Sequence, residues 1–387
     1  MPTLNNIYSL YDEYRIHQLI GRYITNSHIL PFLKNLNPDF KLQSIGFSEK
    51  NNPIFSVSFG KGPINILIWS QMHGNETTTT KSLLDCINLL DSFDNSFIKN
   101  NLCIKIIPIL NPDGANNYCR LNSNNIDLNR DAKELTQSES RVLRNIFNEF
   151  KPNYCFNMHD QRSIYSAGCV NFPATLSFLS PSQDLNRTLT KNREISMKII
   201  SNVCDKLNQL IPNQISRFDD TFNINCVGDM FQSLGVPTIL FEAGHHQNDY
   251  NRENTRKYMM FAIYHTFLSI INNSYINYST NSYFEIPENK LMYFDVLIKE
   301  VLFDENLNDL RDVGILYQES LEKNNVTFTP LVERIGDLRS YYGHKTFNAK
   351  SMHVSNVFDT AIKESDTVNQ IFINNRKIDL FIDNNLM

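Results

Sequence analysis

Between Ile64 and about residue 271 the chain alternates short apolar runs with longer amphipathic stretches, and each apolar run ends beside residues able to do chemistry. Ile64 to Trp69 is apolar except for Asn65, the pattern of a strand buried on both faces. It leads into Gln71-Met72-His73-Gly74-Asn75-Glu76, then into a helical stretch with Leu83, Leu84, Ile87 and Leu90 on one face. Leu102 to Leu110 is the next strand, closed by the turn Asn111-Pro112-Asp113-Gly114. Thr136 and Glu139 form a T-x-x-E capping box opening a helix whose apolar face is Val142, Leu143, Ile146, Phe147 and Phe150. A third strand, Tyr154 to Met158, ends at His159, and residues 185–210 are expected to be helical. A fourth, Pro237 to Phe241, ends at Glu242-Ala243-Gly244, and a long helix occupies roughly 252–271. This alternation predicts an α/β fold with a mixed sheet flanked by helices. It also puts His73, Glu76, His159 and Glu242 at the carboxyl ends of strands, where open α/β sheets hold ligands.

The flanks differ. Residues 1–37 read as a short helical lead-in, and 39–59 as two strands around Lys50-Asn51-Asn52-Pro53. After about Thr280 the alternation stops and β-like stretches follow, such as Met292 to Leu297 and Val326 to Val332. The expected division is a catalytic domain over residues 1–277 and a smaller β-rich accessory domain over 278–387.

Composition removes several function classes. Net charge is −5 and no Lys/Arg run stands out, so neither nucleic acid nor a membrane surface is expected as partner. No window nears the eighteen or so apolar residues that span a bilayer, and the N-terminus reads as no secretory signal. The seven cysteines are odd in number and lack C-x-x-C spacing, which argues against a disulfide framework or a cysteine zinc site. A reducing, cytoplasmic setting is expected.

His73 and Glu76 are the imidazole and carboxylate that zinc takes from protein, three residues apart across a strand-to-helix turn. Two ligands do not hold zinc, and His159 is the best-placed third. Two His and one Glu leave a coordination position open, as catalytic zinc requires. Asp127 is a carboxylate to which a metal-bound imidazole can donate its other ring proton. His17, His28, His245, His246, His265, His344 and His353 read first as surface or core residues. His245 and His246 lie close enough to Glu242 for a substrate contact.

In order along the chain, His73/Glu76, Asn111 to Gly114, Arg120, Asp127-Leu128-Asn129-Arg130, His159 and Glu242 resemble the zinc carboxypeptidases of the carboxypeptidase A type, over roughly residues 40–272. The resemblance implies one zinc per chain held by His73, Glu76 and His159, with Asp127 orienting His73. It further implies that Arg120 polarises the scissile carbonyl, Asn129 and Arg130 grip a terminal carboxylate, and Glu242 is the general base. The implied activity is hydrolysis of an amide bond next to a free carboxylate.

Two features depart from the family. Active members carry a mobile tyrosine shortly before the catalytic Glu, and the only tyrosine here between His159 and Glu242 is Tyr165, too early to match. The β-rich region resembles the extra domain of the aspartoacylase and succinylglutamate desuccinylase branch, which would make the substrate an N-acyl amino acid instead of a peptide. A third expectation is an inactive module that only binds C-termini. The cluster Arg339-Ser340-Tyr341-Tyr342-Gly343-His344-Lys345 is expected at the cleft mouth as a gate, with Tyr341 or Tyr342 supplying the missing phenol.

Overall fold

The structure is a computed structural model describing residues 8–92, 95–304, 309–357 and 359–382; the first seven residues of the expected lead-in lie outside them. Among the described residues, nine strands belong to the α/β part: β1 (Lys41–Phe47), β2 (Pro53–Phe59), β3 (Ile64–Ser70), β4 (Leu102–Ile107), β5 (Tyr154–Asp160), β6 (Tyr165–Ala167), β7 (Leu176–Leu179), β8 (Ile215–Arg217) and β9 (Thr238–Ala243). All but β6 form one mixed sheet in the order β1-β2-β4-β3-β5-β9-β7-β8. Strands β4, β3, β5 and β9 run parallel at its centre, and β2 and β7 join them antiparallel.

Period-two alternation assigns each strand residue to a side. Ile66 and Ile68 face one core with Phe156, Met158 and Phe241. That core is roofed by α1 (Thr78–Ser92), α3 (Lys191–Leu207) and α5 (Glu253–Ile271). Leu67 and Trp69 face the other with Leu143, Phe147 and Phe231, from α2 (Ser138–Phe150) and α4 (Val227–Ser233). The expected helix-flanked mixed sheet is therefore present. The chain leaves β3 for β4 on one side and later returns to β5 on the other. Such a reversal opens a crevice at the carboxyl ends of the two strands.

One local expectation fails. Helix α2 starts at Ser138 with Gln137 as N-cap and no capping side chain. Thr136 turns away: its N–H and hydroxyl both donate to Asp131 Oδ1, at 2.9 and 2.7 Å. Glu139 is buried and accepts from the Glu49 N–H at 3.3 Å. Tertiary partners outcompete the local box.

Beyond residue 288 the chain is β-rich. Strand β10 (Asn289–Leu291) pairs back onto β6. Strands β11 (Tyr293–Asp304), β12 (Asp309–Glu322), β13 (Asn325–Gly336) and β14 (Tyr342–Met352) form a sheet in the order β13-β12-β11-β14. A three-stranded sheet of β15 (Val354–Ser355), β16 (Gln370–Ile373) and β17 (Arg376–Asp379) follows. Their apolar cluster, built on Val296, Ile298, Val313 and Ile315, also takes in Tyr118 and Tyr250 from the α/β part. All seven cysteines are free thiols. Among the described residues no helix is long and apolar enough to cross a membrane.

Candidate active site

The crevice holds the predicted residues. After β3 the backbone turns sharply at Gln71, whose φ of +50° is unusual for a side-chain-bearing residue. Gln71 Nε2 secures the turn by donating to the Ile24 and Gly74 carbonyls at 2.8 and 2.9 Å. Gly74 lies against the Asn111–Gly114 turn so closely that a Cβ would come 2.0 Å from the Gly114 carbonyl carbon, so only glycine fits. The Asn111 turn is thus structural: Asn111 accepts from the Gly114 N–H and donates to the Met72 carbonyl. Asp113 takes Ser48, Lys50 and Asn52, pinning the β1–β2 turn.

His159 ends β5, and Asp160 beyond it accepts the Thr78 and Thr79 N–H groups at 2.8 and 3.1 Å, capping α1. The Asp160 N–H donates to Glu76 Oε2 at 3.1 Å. The end of one strand and the start of the helix after another are therefore locked together, which brings the triad to one point. His73 Nδ1 lies 2.8 Å from Glu76 Oε1, His159 Nδ1 2.8 Å from Glu76 Oε2, and the two imidazole nitrogens 3.1 Å apart. All three side chains are buried.

These contacts fit a metal better than hydrogen bonds. Asp127 Oδ1 sits 3.0 Å from His73 Nε2, and an acceptor-only carboxylate fixes the proton there. His73 Nδ1 then presents a lone pair to a carboxylate and to a second imidazole. Three lone-pair donors facing one another within 4.8 Å in a buried pocket call for a cation. The set of two nitrogens and a carboxylate suits a single zinc ion per chain.

The electrostatics agree. Burial pushes the Glu76 carboxyl up, but His73 and His159 together hold it well below the usual carboxylate range. Burial opposes ionisation of Asp127 too, yet its hydrogen bond to His73, that imidazole's charge and Arg120 keep it low. Burial lowers the imidazole of His159. Metal analysis should find about one zinc per chain in the wild type and near-complete loss in His159→Ala. Full occupancy in the variant would show that the ligand set is wrong.

The remaining predicted residues surround the triad. Arg120 donates to Asp127 Oδ2 through Nε and Nη2, at 3.2 and 3.0 Å, and to Glu76 Oε1 at 3.2 Å. Asn129 accepts the Val227 N–H at 2.9 Å, so α4 holds its amide. The exposed Arg130 donates to the Asn129 carbonyl and contacts Cys226 Sγ. Glu242 pairs in register with His159 across β5 and β9. Its buried Oε2 has no partner among the described residues. Burial, then the neighbouring Glu76 and Asp160, push its carboxyl well above the usual range.

The cleft, of about 640 Å³, has walls that the motifs did not announce. Arg22, Arg162, Tyr165, Phe218 and Arg252 line it from the α/β part, and Tyr317, Gln318 and Glu319 line it from β12. Glu319 accepts from Tyr118 at 2.5 Å and from Arg22 at 3.3 Å, fastening that wall. Only Arg162 and Tyr165 carried a usable signal, standing three and six residues after His159.

Other expectations are corrected. Tyr341 packs on Phe294 and Arg334, and the Tyr342 hydroxyl donates to the Cys169 carbonyl. His344 stacks on Tyr293 and contacts the Ser163 carbonyl. None of the three lines the cleft, whose phenols are Tyr165 and Tyr317. His245 is buried against Tyr250 and His344, and His246 stands by Tyr258; neither reaches the cleft. The stretch near Glu242 turns away because Gly244 packs against the Ala174 carbonyl.

Fold and triad are similar to those of the zinc carboxypeptidases over part of the chain. Residues 27–206 match the zinc carboxypeptidase family, a span that contains His73, Glu76 and His159 and stops short of Glu242. Carboxypeptidase 2 of Trichophyton rubrum is 30% identical over 97 residues, 24% of this chain and 18% of that protein. The chain spans between 18% and 26% of the length of the curated relatives it matches. Carboxypeptidase A from Helicoverpa armigera aligns in structure with a TM-score of 0.51 and 14% identity, covering 70% of this chain and 81% of that one. A Pseudomonas aeruginosa metallo-carboxypeptidase aligns with a TM-score of 0.51 and 12% identity, covering 65% and 68%. At such identities the structural likeness concerns the fold.

Proposed function

We propose that this protein is a zinc-dependent metallocarboxypeptidase that hydrolyses the amide bond next to a free carboxylate. The observation that carries this reading is the buried His73-Glu76-His159 triad with the unpartnered Glu242 carboxyl in the same cleft. A zinc ion held there supplies Lewis acidity, polarising a carbonyl and acidifying water. Glu242 takes a proton from the attacking water and delivers it to the leaving amine. Arg120, anchored by Asp127, faces the oxygen on which negative charge develops. Asn129 and Arg130 grip the terminal carboxylate, for which a guanidinium fork is the matching shape. Asp127 keeps His73 in the tautomer that leaves Nδ1 free.

The deciding experiment offers zinc-loaded protein a mixture of short peptides with free or amidated C-termini and N-acyl amino acids, with products read by mass spectrometry. Amidated peptides should be cut about ten- to a hundredfold more slowly, the worth of one charged hydrogen-bonded contact of about 1.5–3 kcal/mol. Equal turnover would remove Asn129 and Arg130 from substrate binding.

Residues 278–387 act in this reading as an accessory domain that narrows the cleft. Support comes from Tyr317 to Glu319 lining it, which replaces residues 339–345 as the gate. The same wall favours a second reading, an N-acyl amino acid deacylase like the aspartoacylase and desuccinylase branch. The mass spectrometry screen separates the two by product. A binding module without activity is disfavoured by the full ligand set and Glu242. Free thiols and the lack of a membrane-crossing helix among the described residues accord with a reducing, cytoplasmic setting.

A further inference from the structure

The chain as a whole is acidic, with 41 Asp and Glu against 36 Lys and Arg. Its cleft is the reverse: the lining includes five arginines and no lysine, against four carboxylates. Most of these charges are already committed. Glu76 belongs to the triad, and Asp160 caps α1. Glu319 holds Arg22 and Tyr118, and Arg252 donates to the Ala243 and Gln161 carbonyls. Arg120 is tied to Asp127, and Arg130 to the Asn129 carbonyl and Cys226.

Two charged groups of the cleft have no hydrogen-bonded or ionic partner among the described residues. One is Glu242, the proposed base. The other is Arg162, which stands exposed on the cleft wall beside Ser163, Tyr165 and Phe218. Tyr165 and Phe218 meet edge to face at 5.4 Å, giving the wall an aromatic floor next to a guanidinium. Tyr165 is carried by β6, which is zipped to β10, so this wall is held by regular structure. An ordinary solvated arginine needs no such setting. Within an acidic molecule, a cleft whose one uncommitted cation is an arginine draws anionic ligands to that wall, and arginine in place of lysine suits planar carboxylates.

We propose that Arg162 binds a second carboxylate of the substrate, in addition to the terminal one at Asn129 and Arg130, so that the preferred substrates are acidic peptide ends or acyl amino acids with two carboxylates. The assignment rests on the proposed function for the place of the first carboxylate, and adds the class of side chain recognised. That second carboxylate comes either from the residue released or from the residue before the cut.

The test has a binding arm and a turnover arm. Calorimetric titration of zinc-free protein with N-acetyl-Ala-Glu against N-acetyl-Ala-Gln, and N-acetyl-Glu-Ala against N-acetyl-Gln-Ala, should show in one pair at least about tenfold tighter binding of the diacid, the worth of one charge-assisted contact. Arg162→Ala should bring the two affinities of that pair together. Equal affinities within both pairs in the wild type, or a preference that survives in Arg162→Ala, would overturn the assignment. In the turnover arm, benzyloxycarbonyl-Ala-Glu is compared with -Ala-Gln, and -Glu-Ala with -Gln-Ala. The pair in which acid beats amide, with a kcat/KM ratio that collapses in Arg162→Ala, says which residue supplies the carboxylate; acid and amide equal in both pairs would overturn the assignment for substrates. A protein that binds the diacid through Arg162 but cuts none of the four would refute the peptidase reading and leave the carboxylate site standing.

Discussion

Glu242→Gln should retain zinc and fold while losing at least about a hundredfold in kcat, the lower end for removal of a general acid–base group. The amide has the shape of the carboxyl but cannot take a proton. Stability should move the other way. Burial and the nearby Glu76 raise the Glu242 carboxyl in the folded chain. A raised carboxyl costs nothing below its unfolded value, and its cost grows as pH rises above that value. The neutral amide escapes this cost, so zinc-free Glu242→Gln should melt at or above the wild-type temperature at pH 7. Turnover within a few-fold of wild type would take Glu242 out of the mechanism, and a clear drop in melting temperature would contradict the buried, unpartnered state of its carboxyl.

The second large effect is expected far from the cleft. Asp85 and Arg256 are both wholly buried, on α1 and α5, and joined by two hydrogen bonds of 2.6 Å. Asp85 also accepts from the Tyr11 hydroxyl and the Ile16 N–H, each at 2.9 Å, and Arg256 donates to the Ile16 and Leu19 carbonyls. The N-terminal segment is thus sewn onto two helices by one ion pair. Asp85→Ala leaves buried Arg256 with Glu253, at 3.0 Å, as its remaining carboxylate, a loss of about 3 kcal/mol at the lower end for breaking a buried pair. Urea unfolding should show a free energy of unfolding lowered by that amount. A loss under about 1 kcal/mol would mean that water or a rearranged partner reaches Arg256.

The same pair shows where sequence reading stops. Strands β3, β4, β5 and β9 were legible because each is an apolar run that ends at a motif, and burial on both faces needs no partner to be recognised. His73, Glu76 and His159 were legible because their chemistry is restricted to few residue types and their order is distinctive. Lys81 and Asp85, by contrast, sit among the polar positions of α1 and yet are fully buried. Their burial depends on Glu253 and Arg256, some 170 residues away. Three-residue strands such as β6 and β8 are too short to show a period. The cleft wall at Tyr317 to Glu319 was invisible for a similar reason: Glu319 gains its meaning only from Arg22 and Tyr118.

That carboxylate has a consequence for the order in which the protein is made. Every zinc-ligand candidate has been synthesised once His159 is joined, and the proposed base once Glu242 is. The wall that narrows the cleft waits for Tyr317 to Glu319, and its fastening joins a residue near the start of the chain to one 297 positions later. On the ribosome Glu242 is joined 75 positions before Tyr317, so the residues of the proposed site are synthesised before those that enclose it. Because the proposed chemistry demands a free carboxyl end, which a chain still esterified to tRNA does not possess, the nascent protein is protected from itself.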